Sequence, residues 1–286
     1  MDGGIGATGP RAGERASWSG IYFASPSDAG LEWVDVEVPT DVGPAPAWQI
    51  EPAGASSSTW AIHIHGLGSP RAGTLRGVQV ATELGLTSLV VTYRNDGEGP
   101  SVGTGRSTLG SVEADDVRSA LAYARAHGAR RLILFGWSMG GAIALQIAVD
   151  PELRADVAGV VLESPVLDWV STIKANCVRA GLPAWAGLLA LPWLDRPLLA
   201  RIAGLPSVVD VGRFDWVARA AEISAPMLLL HGAEDTSSPF AVAARLQSLR
   251  PDLVTLESFD ADHTMTWNSD PDRWRQTVLT WLAPRQ

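Results

Sequence analysis

From Thr59 onward the chain alternates short apolar runs with stretches whose apolar residues recur at helical spacing. Residues 60–64, 88–92, 132–135, 158–162, 226–230 and 253–256 read as strands. Residues 73–84, 112–127, 140–149, 240–249 and 271–282 read as helices. Brief apolar strands separated by amphipathic helices specify βαβ units, so the expected fold is α/β: a mostly parallel central sheet with helices on both faces. Ahead of these units, residues 20–24, 31–38 and 45–50 read as antiparallel strands, broken by Pro26, Pro39 and Pro44. The first 18 residues are glycine-rich and are expected to be flexible. Residues 165–223 break the rhythm. That stretch is too long for a simple crossover and reads as several short helices. The expected organisation is a core of residues 19–164 and 224–286, with residues 165–223 inserted as a helical cap.

Composition narrows the classes. Hydrophobic residues make up 46% of the 286 and charged ones 19%, which excludes disorder for most of the chain. With 22 basic and 31 acidic residues the net charge is −9, expected to repel nucleic acid and anionic membranes alike. The one cysteine, Cys177, excludes an internal disulfide and a cysteine-rich metal site. The N-terminal residues carry no apolar run of the signal-peptide kind. The longest uncharged apolar stretch, residues 180–194, is shorter than the roughly 20 residues a span requires and is interrupted by Pro183 and Pro192. A cytoplasmic protein with no stable membrane insertion is therefore expected. Of the 12 tryptophans, Trp169, Trp185, Trp193 and Trp216 fall in or beside the expected cap. They are expected to glue it to the sheet and, in part, to line an apolar acyl pocket.

The pattern Gly-x-Ser-x-Gly, which places a nucleophilic serine on a sharp strand-to-helix turn, occurs twice. Residues 99–103, around Ser101, lie in a Gly/Pro loop with no helix starting at the serine. Residues 136–140, around Ser138, directly follow the strand LILF and open the helix GGAIALQIA. Only Ser138 has the required context.

A serine needs a base, usually histidine. His127 ends a helix before Gly128 and reads as a cap, and His63 inside a strand reads as a core residue. His65 and His231 sit at strand ends and could approach the site. His263 lies in the polar loop between the last strand and the last helix, where the chain order Ser, acid, His of the α/β-hydrolase arrangement puts the base. The acid must then fall between residues 138 and 263 in a loop after a strand. Asp235 fits, with Glu234 beside it expected to face solvent, and Asp168, soon after an earlier strand, is its rival. A helix cap is the other role open to Asp235, and Pro239 counts against it because it suits a helix that starts later.

Acyl transfer develops charge on a carbonyl oxygen, which two backbone N–H groups can hold. One is expected from Met139, after the nucleophile and at a helix N-terminus. The other is expected from Leu67 in the Gly-flanked turn His65-Gly66-Leu67-Gly68. His63 and His65 stand two apart and so share a face, but no further ligand pattern accompanies them, and neither a metal nor a cofactor is expected.

Through His65-Gly66, the Gly136-x-Ser138-x-Gly140 turn, Asp235 and His263, residues 58–284 resemble the α/β-hydrolase-fold serine hydrolases, in particular the cap-bearing esterases, lipases and serine peptidases related to the prolyl oligopeptidase and serine aminopeptidase groups. Serine at 138 separates the chain from the dehalogenase and epoxide hydrolase branches, whose nucleophile is a carboxylate. Many relatives carry an Asp-x-Arg-Gly-His-Gly-x-Ser loop, where residues 94–101 here keep the glycines and serine but exchange the charged positions. The resemblance implies hydrolysis of a small-molecule carboxylic ester through an acyl-enzyme, with lipophilic acyl groups preferred. Peptide or amide hydrolysis and acyl transfer use the same three side chains. A non-catalytic ligand-binding protein on the same fold is the alternative of another class.

Overall fold

The computed structural model describes residues 20–54 and 57–285. The flexible segment expected at residues 1–18 lies outside the described residues. β1 (Val34–Thr40) and β2 (Gly43–Ile50) pair antiparallel across a tight turn. β2 also runs antiparallel to β4 (Thr87–Val91). From β4 through β3 (Thr59–Ile64), β5 (Arg131–Trp137), β6 (Val157–Glu163) and β7 (Met227–Gly232) to β8 (Val254–Phe259), each pairing is parallel. The result is one eight-stranded sheet in the order β1-β2-β4-β3-β5-β6-β7-β8. The strand expected at residues 20–24 is not one. Its aromatic residues serve ring packing instead: Tyr22 and Phe23 meet Trp267 in tilted and edge-on contacts.

Strand alternation assigns the two faces. Trp60, Ile62, Leu132, Leu134, Val160, Leu162 and Leu229 point to one side, into the layer of α2 (Glu113–Ala126) and α3 (Met139–Ala148). Ala61, Ile133, Phe135, Trp137, Val161 and Leu228 point to the other, against α1 (Leu75–Glu83) and the C-terminal helix at Pro271–Leu282. The 3-10 turn Arg71–Thr74 precedes α1, so the helix expected from residue 73 opens slightly later. Nearly all of α3 is buried, as its almost wholly apolar sequence requires, whereas α2 turns Asp115 and Arg125 to solvent and buries Glu113 and Asp116. Each fully buried Leu, Ile or Phe in these layers contributes about 1.5–3 kcal/mol of hydrophobic stabilisation.

Between β6 and β7 the described chain is helical: α4 (Trp169–Arg179), a 3-10 helix at Ala184–Ala190, α5 (Leu191–Asp195), α6 (Pro197–Ile202) and two 3-10 turns. α7 (Phe240–Leu249) follows β7, α8 (Thr266–Ser269) follows β8, and α9 (Pro271–Leu282) closes the chain, with Asp270 accepting from Arg273 N at its start. Among the described residues no helix is long and apolar enough to cross a membrane.

β3 pairs with β4 on one side and β5 on the other, so the crossovers leaving β3 and β5 diverge. In open α/β sheets the crevice at such a switch point, beyond the C-terminal strand ends, is where ligands bind. Gly66 and Ser138 leave the sheet side by side there: a Cβ on Gly66 would stand 3.1 Å from the Ser138 Cβ.

His63 is buried in the α1/α9 layer, stacked on Phe135 at 4.7 Å, with Nε2 3.1 Å from Ser88 Oγ. Burial pushes the imidazole down to about 3. The unfolded chain, with an ordinary histidine near 6.5, therefore binds the proton that the fold rejects, so stability is full above that value and declines as pH falls toward the folded value. Between pH 7 and pH 4 His63 should account for roughly 3 kcal/mol of lost stability. Urea unfolding of wild type and His63→Gln at both pH values measures it. Equal losses in the two proteins would show that His63 is not the acid-sensitive group.

Candidate active site

Ser138 stands at the turn from β5 into α3 with φ 52° and ψ −115°, a conformation strained for any L-residue with a side chain. Three main-chain hydrogen bonds hold it. Ser138 N donates to Glu163 O (3.0 Å), and the Ser138 carbonyl accepts from Gly141 N and Val166 N (3.0 Å each). The motif glycines permit the turn: a Cβ on Gly140 would lie 2.1 Å from Ile64 O, and one on Gly136 2.7 Å from Gly140 O. Met139 is the first residue of α3, so its N–H belongs to the unsatisfied, partly positive end of a buried helix.

His263 comes from the loop after β8 and sets its Nε2 2.9 Å from Ser138 Oγ. Its Nδ1 lies 2.9 and 3.1 Å from the two carboxylate oxygens of Asp235, in the loop after β7. The two loops are stitched together by Asp262, whose carboxylate accepts from Thr236 N, Thr236 Oγ1 and His263 N. Asp235 is buried. Its Oδ1 accepts from Ser237 N (2.9 Å) and Ser238 N (2.7 Å), and its Oδ2 lies 3.2 Å from His231 Nε2. Burial alone would raise this carboxyl, but hydrogen bonds and charge from His231 and His263 hold it well below the usual carboxylate range. It is a fixed anion beneath an imidazole.

The turn after β3 is braced from behind. His65 is pinned at both ring nitrogens: Nε2 is 3.1 Å from Asp96 Oδ2, and Nδ1 is 3.0 Å from Gly66 O and from Tyr93 Oη. The Tyr93 hydroxyl also lies 3.0 Å from His65 O. Leu67, which follows, is half exposed at the mouth of the site.

Beneath the His263 loop lies a buried ion pair. Arg76 of α1 stands 3.4 Å from Glu163 at the end of β6, both nearly inaccessible. Arg76 donates to Thr264 O (3.1 Å), Asn268 Oδ1 (3.0 Å) and Gly20 O (2.8 Å). Glu163 accepts from Trp137 Nε1 (3.0 Å) and Thr266 N (3.3 Å). Thr264, directly after His263, has φ 56°, and Arg76 binds its carbonyl. No sequence motif singles out this pair. A signal existed, since Glu163 is the one charge in the strand VAGVVLE and Arg76 is the one basic residue of the helix LRGVQVATE.

The rest of the sequence-expected residues fall into place individually. Asp168, the rival acid, caps α4 through Val170 N and Ser171 N. Ser101 is exposed in its loop, Glu234 faces solvent, and α7 starts after Pro239. His127 ends α2, with Nδ1 2.8 Å from Tyr123 O, and His231 supports Asp235 without reaching the serine. Among the described residues no group of three His, Cys, Asp or Glu could hold a metal ion.

A cavity of about 630 Å³ opens on Ser138 and His263, lined also by Leu67, Met265, Arg76 and Asp260. The expected pocket-lining tryptophans are not part of it. Trp169 and Trp216 are buried against the core, while Trp185 and Trp193 face outward, 63% and 45% exposed. Arg179 is the one residue of 165–223 that lines the cavity among the described residues.

An eight-stranded, mostly parallel sheet with a serine on the β5–α3 elbow and a histidine after β8 defines the α/β-hydrolase fold. The chain belongs to the alpha/beta hydrolase family, whose model matches residues 52–277. No curated protein matches it. Among solved structures it is similar to the esterase Pf2001 of Pyrococcus furiosus (TM-score 0.70, 20% identity, 94% of this chain and 97% of that one). It is also similar to a proline iminopeptidase of Mycobacterium smegmatis (0.60, 16%, 88% and 98%) and to an alpha-beta serine hydrolase homologue of Coxiella burnetii (0.56, 17%, 87% and 97%). At these identities the likeness is one of fold.

Proposed function

We propose that this protein hydrolyses carboxylic esters through an acyl-enzyme on Ser138. The observation that carries the proposal is the chain of hydrogen-bond distances Ser138 Oγ to His263 Nε2 and His263 Nδ1 to Asp235, each 2.9 Å at its shortest. With Nδ1–H donated to the Asp235 anion, Nε2 is the free lone pair facing the hydroxyl. His263 takes the Ser138 proton as Oγ attacks the ester carbonyl, and the oxyanion is held by the N–H groups of Met139 and Leu67. Collapse expels the alcohol, which takes the proton from Nε2. A water then gives a proton to Nε2 and attacks the acyl carbon, releasing the carboxylic acid and free Ser138. The apolar Leu67 and Met265 at the cavity favour a lipophilic acyl or alcohol group. A second substrate class, aminoacyl amides, is favoured by the Asp260 carboxylate on the same cavity, which could pair with a substrate amino group.

The test is covalent labelling by a fluorophosphonate of wild type, Ser138→Ala and Ser101→Ala. Labelling is expected in wild type and Ser101→Ala and absent in Ser138→Ala. An unlabelled wild type would overturn the enzyme assignment. p-Nitrophenyl esters of increasing acyl length beside aminoacyl p-nitroanilides then separate the two substrate classes. A faster rate on the anilides would displace the ester reading.

A further inference from the structure

Fourteen large apolar side chains are markedly exposed among the described residues, and nine of them fall between residues 178 and 208. They include Trp185, Leu189, Leu198 and Ile202, each more than 60% exposed, and Trp193. The elements that carry them touch in series: α4 packs on the 3-10 helix Ala184–Ala190, that helix on α5, and α5 on α6. On α6, Leu198 and Ile202 are one turn apart and project from the same side of the helix. Solvent exposure of this many neighbouring apolar groups marks a docking surface.

Charge identifies what docks. Residues 178–208 carry Arg179, Arg196 and Arg201 against the single acid Asp195, a net +2 within a chain of −9. The basic side chains at 179, 196 and 201 are exposed beside the apolar ones. The whole-chain charge predicts repulsion from an anionic membrane, but that prediction treats the charge as uniform. At physiological ionic strength a charge is felt over about 8 Å. The radius of gyration expected for a chain of this length is roughly 19 Å, so most of the acidic surface lies beyond reach of a plane touching these helices. An apolar face with tryptophan on it and arginine around it fits the interface of an anionic bilayer. A second copy of the chain fits less well, because a two-fold contact would set one +2 face against another.

We propose that the exposed face of residues 178–208 docks the protein peripherally on an anionic phospholipid bilayer. Arg179 stands beside Val178 on this face and also lines the cavity that holds Ser138, so docking brings the cavity mouth to the membrane surface. The docking itself is independent of the ester chemistry. Delivery of a lipid-borne ester to Ser138 rests on the function proposed above.

Co-sedimentation with vesicles tests it, using the full chain both as wild type and as Ser138→Ala, so that binding is read without turnover. The vesicles are phosphatidylcholine alone, or with about a third phosphatidylglycerol. Both proteins are expected to bind the anionic vesicles, to release from them as salt rises, and to show blue-shifted tryptophan emission when bound. Trp185→Ser/Leu189→Ser and Arg196→Glu/Arg201→Glu are each expected to weaken binding by on the order of tenfold. Their hydrolysis of a soluble ester should be unchanged. Absence of phosphatidylglycerol-dependent binding overturns the proposal. So does self-association that Trp185→Ser/Leu189→Ser abolishes while vesicles stay unbound, because the face would then belong to a second copy. If vesicles bind but no ester is cleaved, the docking stands and the ester assignment fails.

Discussion

On the proposed mechanism, in which the hydroxyl and the imidazole act as one unit, Ser138→Ala, His263→Ala and the double variant are expected to lose kcat by about the same factor, roughly a millionfold. Asp235→Asn is expected to cost about ten-thousandfold. The structure explains how. Asp235 Oδ1 accepts from Ser237 N and Ser238 N, so an asparagine would place its carbonyl oxygen there and turn its amide nitrogen toward His263. An amide N–H can only donate, which forces Nδ1 to accept and puts the imidazole proton on Nε2, facing Ser138. Geometry survives while the base is lost. Steady-state kcat and KM on a soluble p-nitrophenyl ester, with circular dichroism to show unchanged folding, measure this. Losses that multiply in the double variant, instead of coinciding, would show that Ser138 and His263 do not act together.

Arg76→Met and Glu163→Gln should each destabilise the fold by about 3–5 kcal/mol, since each leaves one charge or its hydrogen-bond partners buried without the other. The combined variant should lose much less than the sum, because no unpaired charge remains. A structural ion pair alone would affect only stability. Arg76 also binds the carbonyl of Thr264, next to His263, the base of the proposed mechanism, so Arg76→Met should in addition lower kcat more than it raises KM. Urea unfolding of the four proteins gives the coupling, and kinetics gives the split between kcat and KM. Additive stability losses with unchanged kcat would reduce the pair to two independent contacts.

These two experiments divide along what the chain order reveals. The elbow could be read from residues 132–149 because its signal is local: an apolar strand, a small-residue turn and an apolar helix in direct succession. The choice between Ser138 and Ser101 followed from that context. The parallel sheet was legible for the same reason, since each βαβ unit announces its own period. The segment at residues 20–24 misled because an aromatic pair carries the same apolar pattern whether it enters a sheet or packs edge-on against Trp267. The four tryptophans of residues 165–223 were legible only in part, since the core-packing role holds for Trp169 and Trp216 but none of the four lines the cavity. Four similar residues in one helical stretch went to opposite sides, Trp169 and Trp216 inward and Trp185 and Trp193 outward. A run of short helices has no periodicity long enough to tell inside from outside.

What the amino-acid order determined alone is the inventory: a βαβ grammar, a strained serine turn, and a few acids and histidines at strand ends that could serve it. Folding decided which of these meet. Asp168 and Asp235 both follow strands, yet one caps a helix and the other sits under His263, because only the loop after β7 is stitched by Asp262 and Thr236 to the loop after β8. Arg76 and Glu163 are separated in sequence by two crossovers and come together only when α1 packs against β3 and β4 and the sheet is complete. Local patterns are set by near neighbours along the chain, which the sequence lists. Pairings across the sheet depend on strand order and loop closure, and those exist only once the tertiary fold has formed.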